Sequence, residues 1–279
     1  MSEIEIQGHR GWRGVWPENT LAGFRAAWAA GVRVVELDVG LTRDGVPVVC
    51  HDLALDPDLT RGPDGAWLAA PVVIHDTDFA ALRRHDVGRA RPGGSAAMRF
   101  PGQRAVGGER VPAFAEVLAA APADAVLDVE IKTDPTRPAQ TATPERLVDA
   151  VLAVAGGDAR LRLRGFDWRV LDHALPLLGA ARLTWLTDAR TEAAPRLWWH
   201  RDGDVLAALQ AAGAGGGAWA PHHATLTPER VAAAHALGLR VAPWTVNETD
   251  AMQMLAAWGV DAICTDYPDR AFAVGWRPE

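Results

Sequence analysis

Two histidines, His9 and His51, bracket two carboxylates placed one residue apart, Glu36 and Asp38. Around them stand Gly8-His9-Arg10-Gly11, Pro17-Glu18-Asn19-Thr20 and His51-Asp52. Glu36 and Asp38 lie in an otherwise apolar run, Val34-Val35-Glu36-Leu37-Asp38-Val39, and a spacing of two on a strand puts both side chains on one face. Like charges side by side in an interior repel and lose hydration unless a cation or a proton compensates. A third acid follows in Val126-Leu127-Asp128-Val129-Glu130-Ile131-Lys132, where Glu130 and Lys132 again share a face. Three carboxylates with no Cys–His cluster specify a hard cation with oxygen ligands, magnesium or calcium rather than zinc. The alternative, a salt-bridge layer with Arg10 and Lys132, leaves a buried charge uncompensated. Two imidazoles on opposite sides of a cation-bound phosphate form an acid–base pair: one activates a nucleophile, the other protonates the leaving alkoxide. The cation would neutralise charge on the non-bridging oxygens, and Arg10 and Lys132 are suitable donors to them. Which histidine is the acid stays open, as does magnesium against calcium.

These residues need elements that bring them together. A helix ending at Gly and running straight into a short apolar strand recurs at Gly31, Gly238 and Gly259, with a looser copy at Gly179. Glycine suits the left-handed residue that closes a helix, and the β-branched run after it suits a buried strand. Helices alternating with buried strands mean parallel βα units. Strands are expected near 4–9, 34–41, 126–132, 161–167, 182–187, 217–221, 240–246 and 261–266, which points to a TIM (β/α)8 barrel. A helix is expected around 19–30, with Leu21, Phe24 and Trp28 on one face, and Pro144 and Pro228 open later helices. Thr42-Arg43-Asp44-Gly45 is a turn signal, and a hairpin there lays Cys50 and His51 beside Asp38 or Leu37. His9 ends the first strand. A barrel sends such strand-end residues to its C-terminal mouth.

At 279 residues the chain suits one barrel domain, 1–279. Residues 53–111, rich in Pro, Gly and Arg, break the rhythm and read as an insertion or lid over the mouth. The formal net charge of −7 argues against a nucleic-acid partner. No run is long and apolar enough for a transmembrane segment, and the acidic start Met1-Ser2-Glu3 does not resemble a secretory signal, so the chain reads as cytoplasmic. Cys50 and Cys264 read as buried small hydrophobes. Oligomeric state is not readable.

The runs His9-Arg10-Gly11, Pro17-Glu18-Asn19-Thr20, Glu36-Leu37-Asp38-Val39, Thr42-Arg43-Asp44-Gly45 and Val48-Val49-Cys50-His51-Asp52 resemble the glycerophosphodiester phosphodiesterases. The resemblance continues through Glu130-Ile131-Lys132, Gly165-Phe166-Asp167-Trp168, Trp244-Thr245-Val246-Asn247 and Thr265-Asp266-Tyr267-Pro268, nearly the whole chain. It implies a phosphatidylinositol-phospholipase-C-like barrel that hydrolyses glycerophosphodiesters to glycerol 3-phosphate and an alcohol. It also implies a divalent cation on Glu36, Asp38 and Glu130, His9 and His51 as acid–base pair, phosphate contacts from Arg10 and Lys132, and Trp244 lining the substrate pocket. The insertion matches one this family carries after the second histidine. Trp12, Trp16 and Gly165 depart from the family's common residues and bear on which alcohol fits. Two other readings keep the barrel: a lyase forming a cyclic phosphate, and a catalytically silent phosphate-binding protein.

Other features read as structural. Gly213-Ala214-Gly215-Gly216-Gly217 follows a helix and precedes a strand, the reverse of a dinucleotide loop, so it is a connector. His222-His223 stands at the right end of the barrel but has no local partner acid. Most of the twelve tryptophans read as core, with Trp198-Trp199 a candidate lipid-facing patch.

Overall fold

The computed structural model describes residues 4–276. Its strands, in chain order, are β1 (Glu5–Gly8), β2 (Val34–Leu41), β3 (Pro47–Val49), β4 (Ala54–Leu55), β5 (Val72–Val73), β6 (Val126–Ile131), β7 (Leu161–Gly165), β8 (Leu183–Thr187), β9 (Ala218–Pro221), β10 (Arg240–Val241) and β11 (Ala262–Thr265). Eight of them run parallel in the order β10-β9-β8-β7-β6-β2-β1-β11, with β3 paired antiparallel to β2. Backbone hydrogen bonds from Asp261 to Val241, from Cys264 to Pro243 and from Val246 to Cys264 bring the two ends of this order together. The chain is therefore a (β/α)8 barrel. The strand expected over 240–246 is regular only at Arg240–Val241. Pro243 has no N–H to give to a ladder, although its carbonyl still accepts across the seam.

Alternation along the strands divides inside from outside. Val35, Leu37 and Val39 on β2 and Leu127, Val129 and Ile131 on β6 join one buried apolar cluster with helix residues such as Phe24, Phe114 and Leu147. The residues between them, Glu36, Asp38, Asp128 and Glu130, turn to the barrel interior. The first helix, Leu21–Ala29, begins where Thr20 accepts from the Gly23 N–H and stops before Gly31, whose φ of 93° suits glycine. Pro144 and Pro228 occupy the first turns of their helices, each behind a capping threonine.

The hairpin forms at the expected turn. Thr42 Oγ1 donates to Asp44 Oδ1, and β3 returns with Val49 opposite Val39. The Cys50 N–H reaches the Asp38 carbonyl at 3.0 Å, so His51 emerges beside the carboxylates. Beyond it, residues 53–111 build the β4–β5 ribbon and short helices around a small core of Val48, Leu55, Ile74, Leu82 and Val111. This insertion also grips the loop after β1, where Gln103 Nε2 donates to the carbonyls of Arg13 and Trp16. Trp198 and Trp199 are buried at 3% and 1% exposure, and Trp199 stacks on Trp168 at 4.8 Å. They are core, which corrects their reading as a lipid-facing patch. No helix among the described residues is long and apolar enough to cross a membrane.

Candidate active site

A cavity of about 240 Å³ opens at the C-terminal ends of the strands and takes His9, Glu36, His51, Glu130, Lys132 and Trp244 into its lining. The register explains the convergence. Glu36 lies opposite Asp128 and Asp38 opposite Glu130 across the β2–β6 ladder, while β1 delivers His9 just beyond Gly8. Ligand oxygens of Glu36, Asp38 and Glu130 all fall within 4.8 Å of one another.

The turn after β1 is built for contact rather than comfort. A Cβ on Gly8 would meet the Gly11 carbonyl at 2.3 Å, so only glycine fits there. Arg10 and Asn19 adopt left-handed backbones, φ 52° and 55°, each a strain of about 1–3 kcal/mol for a residue with a side chain. The strain aims donors: the Arg10 N–H bonds Glu36 Oε2 at 2.9 Å, and Asn19 Nδ2 bonds Asp38 Oδ2 at 2.9 Å. Arg10 itself is buried, its guanidinium 2.8 Å from Glu18 and 3.4 Å from Asp38. Lys132 Nζ sits 2.6 Å from Glu130 and 3.4 Å from Asp38.

These cations do not balance the acids. Glu36, Asp38, Asp128 and Glu130 face Arg10, Lys132 and Arg164, and Arg164 stands 3.6 Å from Asp128 deeper in the barrel. Burial, then the neighbouring Asp38 carboxylate, push the Glu36 carboxyl well above the usual range. Burial also works to raise Asp38, but the Lys132 ammonium, with His51 and Arg10, holds it far below the ordinary value. Asp38 Oδ1 and both oxygens of Asp128 are buried without a hydrogen-bond partner. An oxygen-lined cluster with surplus negative charge and a buried carboxylate oxygen that accepts no hydrogen bond fits a hard divalent cation. Glu36, Asp38 and Glu130 could hold a metal ion.

The two histidines have different surroundings. His9 is buried, with Nδ1 2.6 Å from Asp266 Oδ1 and Nε2 4.0 Å from Glu36 Oε2. Asn247 fixes Asp266 in turn, donating from Nδ2 to Oδ2 at 2.8 Å while its own Oδ1 accepts the Asp266 N–H. Burial and the Arg10 guanidinium depress the His9 pKa more than Asp266 raises it. Burial would lift Asp266, yet its hydrogen bond and charge contact with His9 hold it well below the carboxylate range. A neutral His9 that donates Nδ1–H to Asp266 leaves the Nε2 lone pair facing the cavity. His51 is one-third exposed, with Nδ1 2.7 Å from Asp52 Oδ1.

The opposite wall is apolar. Leu186, Ala220, Ala242 and Ala262 form a cluster inside the barrel against Phe166 and Trp244. Trp244 is held by Nε1 donating to the Ala220 carbonyl at 2.9 Å and by edge-on contacts with Phe166 and His222.

Every sequence-predicted site residue thus reaches one place, with Asp38 just beneath the cavity surface. Asn19, Asp266 and Asn247 belonged to the quoted motifs but had no role assigned, because their partners lie far away in sequence. Arg164 was legible: Leu161-Arg162-Leu163-Arg164 alternates on an expected strand, which sends both arginines inward.

Known proteins resemble this chain in sequence and in fold. The glycerophosphoryl diester phosphodiesterase family model matches residues 9–270. A candidate glycerophosphodiester phosphodiesterase of Mycobacterium tuberculosis is 29% identical over 271 residues, 94% of this chain and 86% of that relative. The glycerophosphodiester phosphodiesterase of Bacillus altitudinis is 27% identical, with 97% of each chain covered. A crystal structure of a candidate glycerophosphoryl diester phosphodiesterase from Silicibacter pomeroyi is similar with a TM-score of 0.86 and 37% identity, covering 98% of this chain and 93% of that one. An Oleispira antarctica phosphodiesterase in complex with sn-glycerol-3-phosphate, 23% identical with a TM-score of 0.72 and 97% and 96% coverage, shares the fold.

Proposed function

The chain belongs to the glycerophosphoryl diester phosphodiesterase family, and from that premise we propose that it hydrolyses glycerophosphodiesters to glycerol 3-phosphate and an alcohol by His9/His51 acid–base catalysis. The observation that carries this reading is the unbalanced acid cluster that shares one cavity with the two histidines. A divalent cation, magnesium or calcium, held by Glu36, Asp38 and Glu130 would neutralise charge on the non-bridging phosphate oxygens.

The chain's own groups do the rest. Arg10 and Lys132 steady the phosphate with the donors their acid partners leave over. His9, kept neutral by burial and oriented by Asp266, takes a proton from the attacking water at Nε2. His51, at the mouth beside Asp52, returns a proton to the departing alkoxide. Trp244 and the apolar wall receive the organic part of the diester. The insertion 53–111 serves as a lid that braces the loop carrying Arg10 and extends Leu53 into the cavity lining.

A panel of glycerophosphodiesters, assayed with and without chelator and followed by phosphorus NMR, tests this. Wild type should release glycerol 3-phosphate only with the divalent cation present. His9→Ala and His51→Ala should each lose about 10²–10⁴-fold. A cyclic phosphate that accumulates first would favour the lyase, and full activity in both variants would end the proposal. The roles separate with an activated leaving group. His51→Ala should recover much of its rate on a nitrophenyl diester, whereas His9→Ala should not.

A further inference from the structure

We infer that Arg190, on the rim of the cavity, selects diesters whose alcohol portion carries its own carboxylate or phosphate; this rests on the phosphodiesterase reading above. Arg190 follows β8 and lines the cavity on its apolar side. Its guanidinium lies 4.2 Å from the centre of the Trp198 ring and 5.5 Å from that of Phe166. The two rings flank the guanidinium, and the exposed side chain keeps N–H groups available to a ligand. Among the described residues it makes no hydrogen bond. The nearest acid, Asp188, caps the following helix with Oδ1 by accepting the Thr191 N–H, and its Oδ2 forms an ion pair with Arg190 Nη2 at 3.6 Å, beyond hydrogen-bond distance. A stacked guanidinium with open edges is a fork shaped for a carboxylate or phosphate.

Charge elsewhere on the rim supports the assignment. Arg137 lines the same cavity and spends only Nε on Asp134 Oδ2, while Asp134 Oδ1 accepts from Thr136. The same geometry disfavours a quaternary ammonium. Such a head would seek the Phe166 face, where Arg190 already places a positive charge. Arg10 and Lys132 lie at the acid cluster, where their remaining donors serve the scissile phosphate. Arg190 is therefore a second anion contact, displaced from the scissile phosphate toward the alcohol.

The test compares kcat/KM for four diesters: glycerophosphoglycerol phosphate, glycerophosphoserine, neutral glycerophosphoglycerol and cationic glycerophosphocholine. Wild type should favour the phosphate or carboxylate head over choline by about tenfold or more, the scale of one charge-assisted hydrogen bond. Which of the two leads identifies the anion. Arg190→Met should cut that ratio about tenfold through KM, and Arg190→Lys should retain part of it because charge remains without the fork. Hydrolysis of all four without preference, or an equal loss on all four in Arg190→Met, would overturn the inference alone. Failure of wild type to release glycerol 3-phosphate from any of them would overturn the phosphodiesterase reading, and the inference with it.

Discussion

The interior of this barrel has two unlike halves. Strands β1, β2, β6 and β7 point Glu5, Gln7, Glu36, Asp38, Asp128, Glu130, Arg162 and Arg164 inward, tied by contacts such as Arg162–Glu5 and Arg164–Asp128. Strands β8, β9 and β11 and the residue after β10 face them with Leu186, Ala220, Ala242 and Ala262, and Arg240 of β10 reaches across to Glu5. Barrel interiors are commonly filled by branched apolar side chains, which need no partners. Here half the interior carries charge that is costly to bury, and its upper layer is where the histidines arrive. The difference teaches where chemistry and selectivity lie: the charged half handles phosphate and protons, and the apolar half, capped by Trp244 and Arg190, shapes the space for the alcohol.

The largest break should come from Asp266. Asn247 donates to Asp266 Oδ2, which in Asp266→Asn would orient the amide oxygen toward Asn247 and its NH₂ toward His9 Nδ1. The imidazole would then carry its proton on Nε2 and lose its function as a base. Asp266→Asn should therefore lose about 10³–10⁴-fold in kcat, more than Asp266→Ala, as a wrong tautomer does in a serine-protease triad. The pH profile sharpens this point. A base must be deprotonated, and His9 is depressed by burial and Arg10, so the acidic limb of kcat/KM should lie below the usual histidine value of about 6.5. In Asp266→Ala the carboxylate that raises His9 is gone, so that limb should move lower still. A limb that moved upward would contradict the assignment.

A second break concerns stability. Arg164 is fully buried, and its positive charge offsets Asp128 and Glu36. Arg164→Met should cost about 3–5 kcal/mol, because the acids are left uncompensated. Denaturant unfolding in chelator measures this, and a neutral effect would show that the charged half is not held by its pairing. Leu186→Val in the apolar half should cost only about 1 kcal/mol in the same experiment. The smallest effect is on selectivity. Trp244→Phe keeps an aromatic wall but loses the bond to Ala220, and it should change KM by roughly tenfold or less with kcat nearly intact. A large fall in kcat would move Trp244 from the alcohol space into the chemistry.

Much of this was legible along the chain because it is local. Glu36 and Asp38, or Glu130 and Lys132, share a face by strand periodicity alone, and the Asp44-Gly45 turn foretold where His51 returns. The parallel βα rhythm gave the barrel. What stayed hidden depends on closure: Asp266 meets His9 only because β11 pairs with β1 at the far end of the chain. The left-handed backbone of Arg10 carries no local signal and that of Asn19 only asparagine's general tolerance for it, since the contacts that hold both come from β2. Trp198 and Trp199 misled because bulk in a loop looks exposed until the fold shows them packed beneath Arg190 and against Trp168.

The claim that the charged half is unbalanced so as to hold a cation is tested most directly by titration calorimetry of magnesium and calcium into chelator-stripped protein. Wild type should bind one divalent ion per chain, and Asp38→Asn should abolish that heat while remaining folded by circular dichroism. Equal binding by Asp38→Asn, or no binding by wild type, would contradict the account.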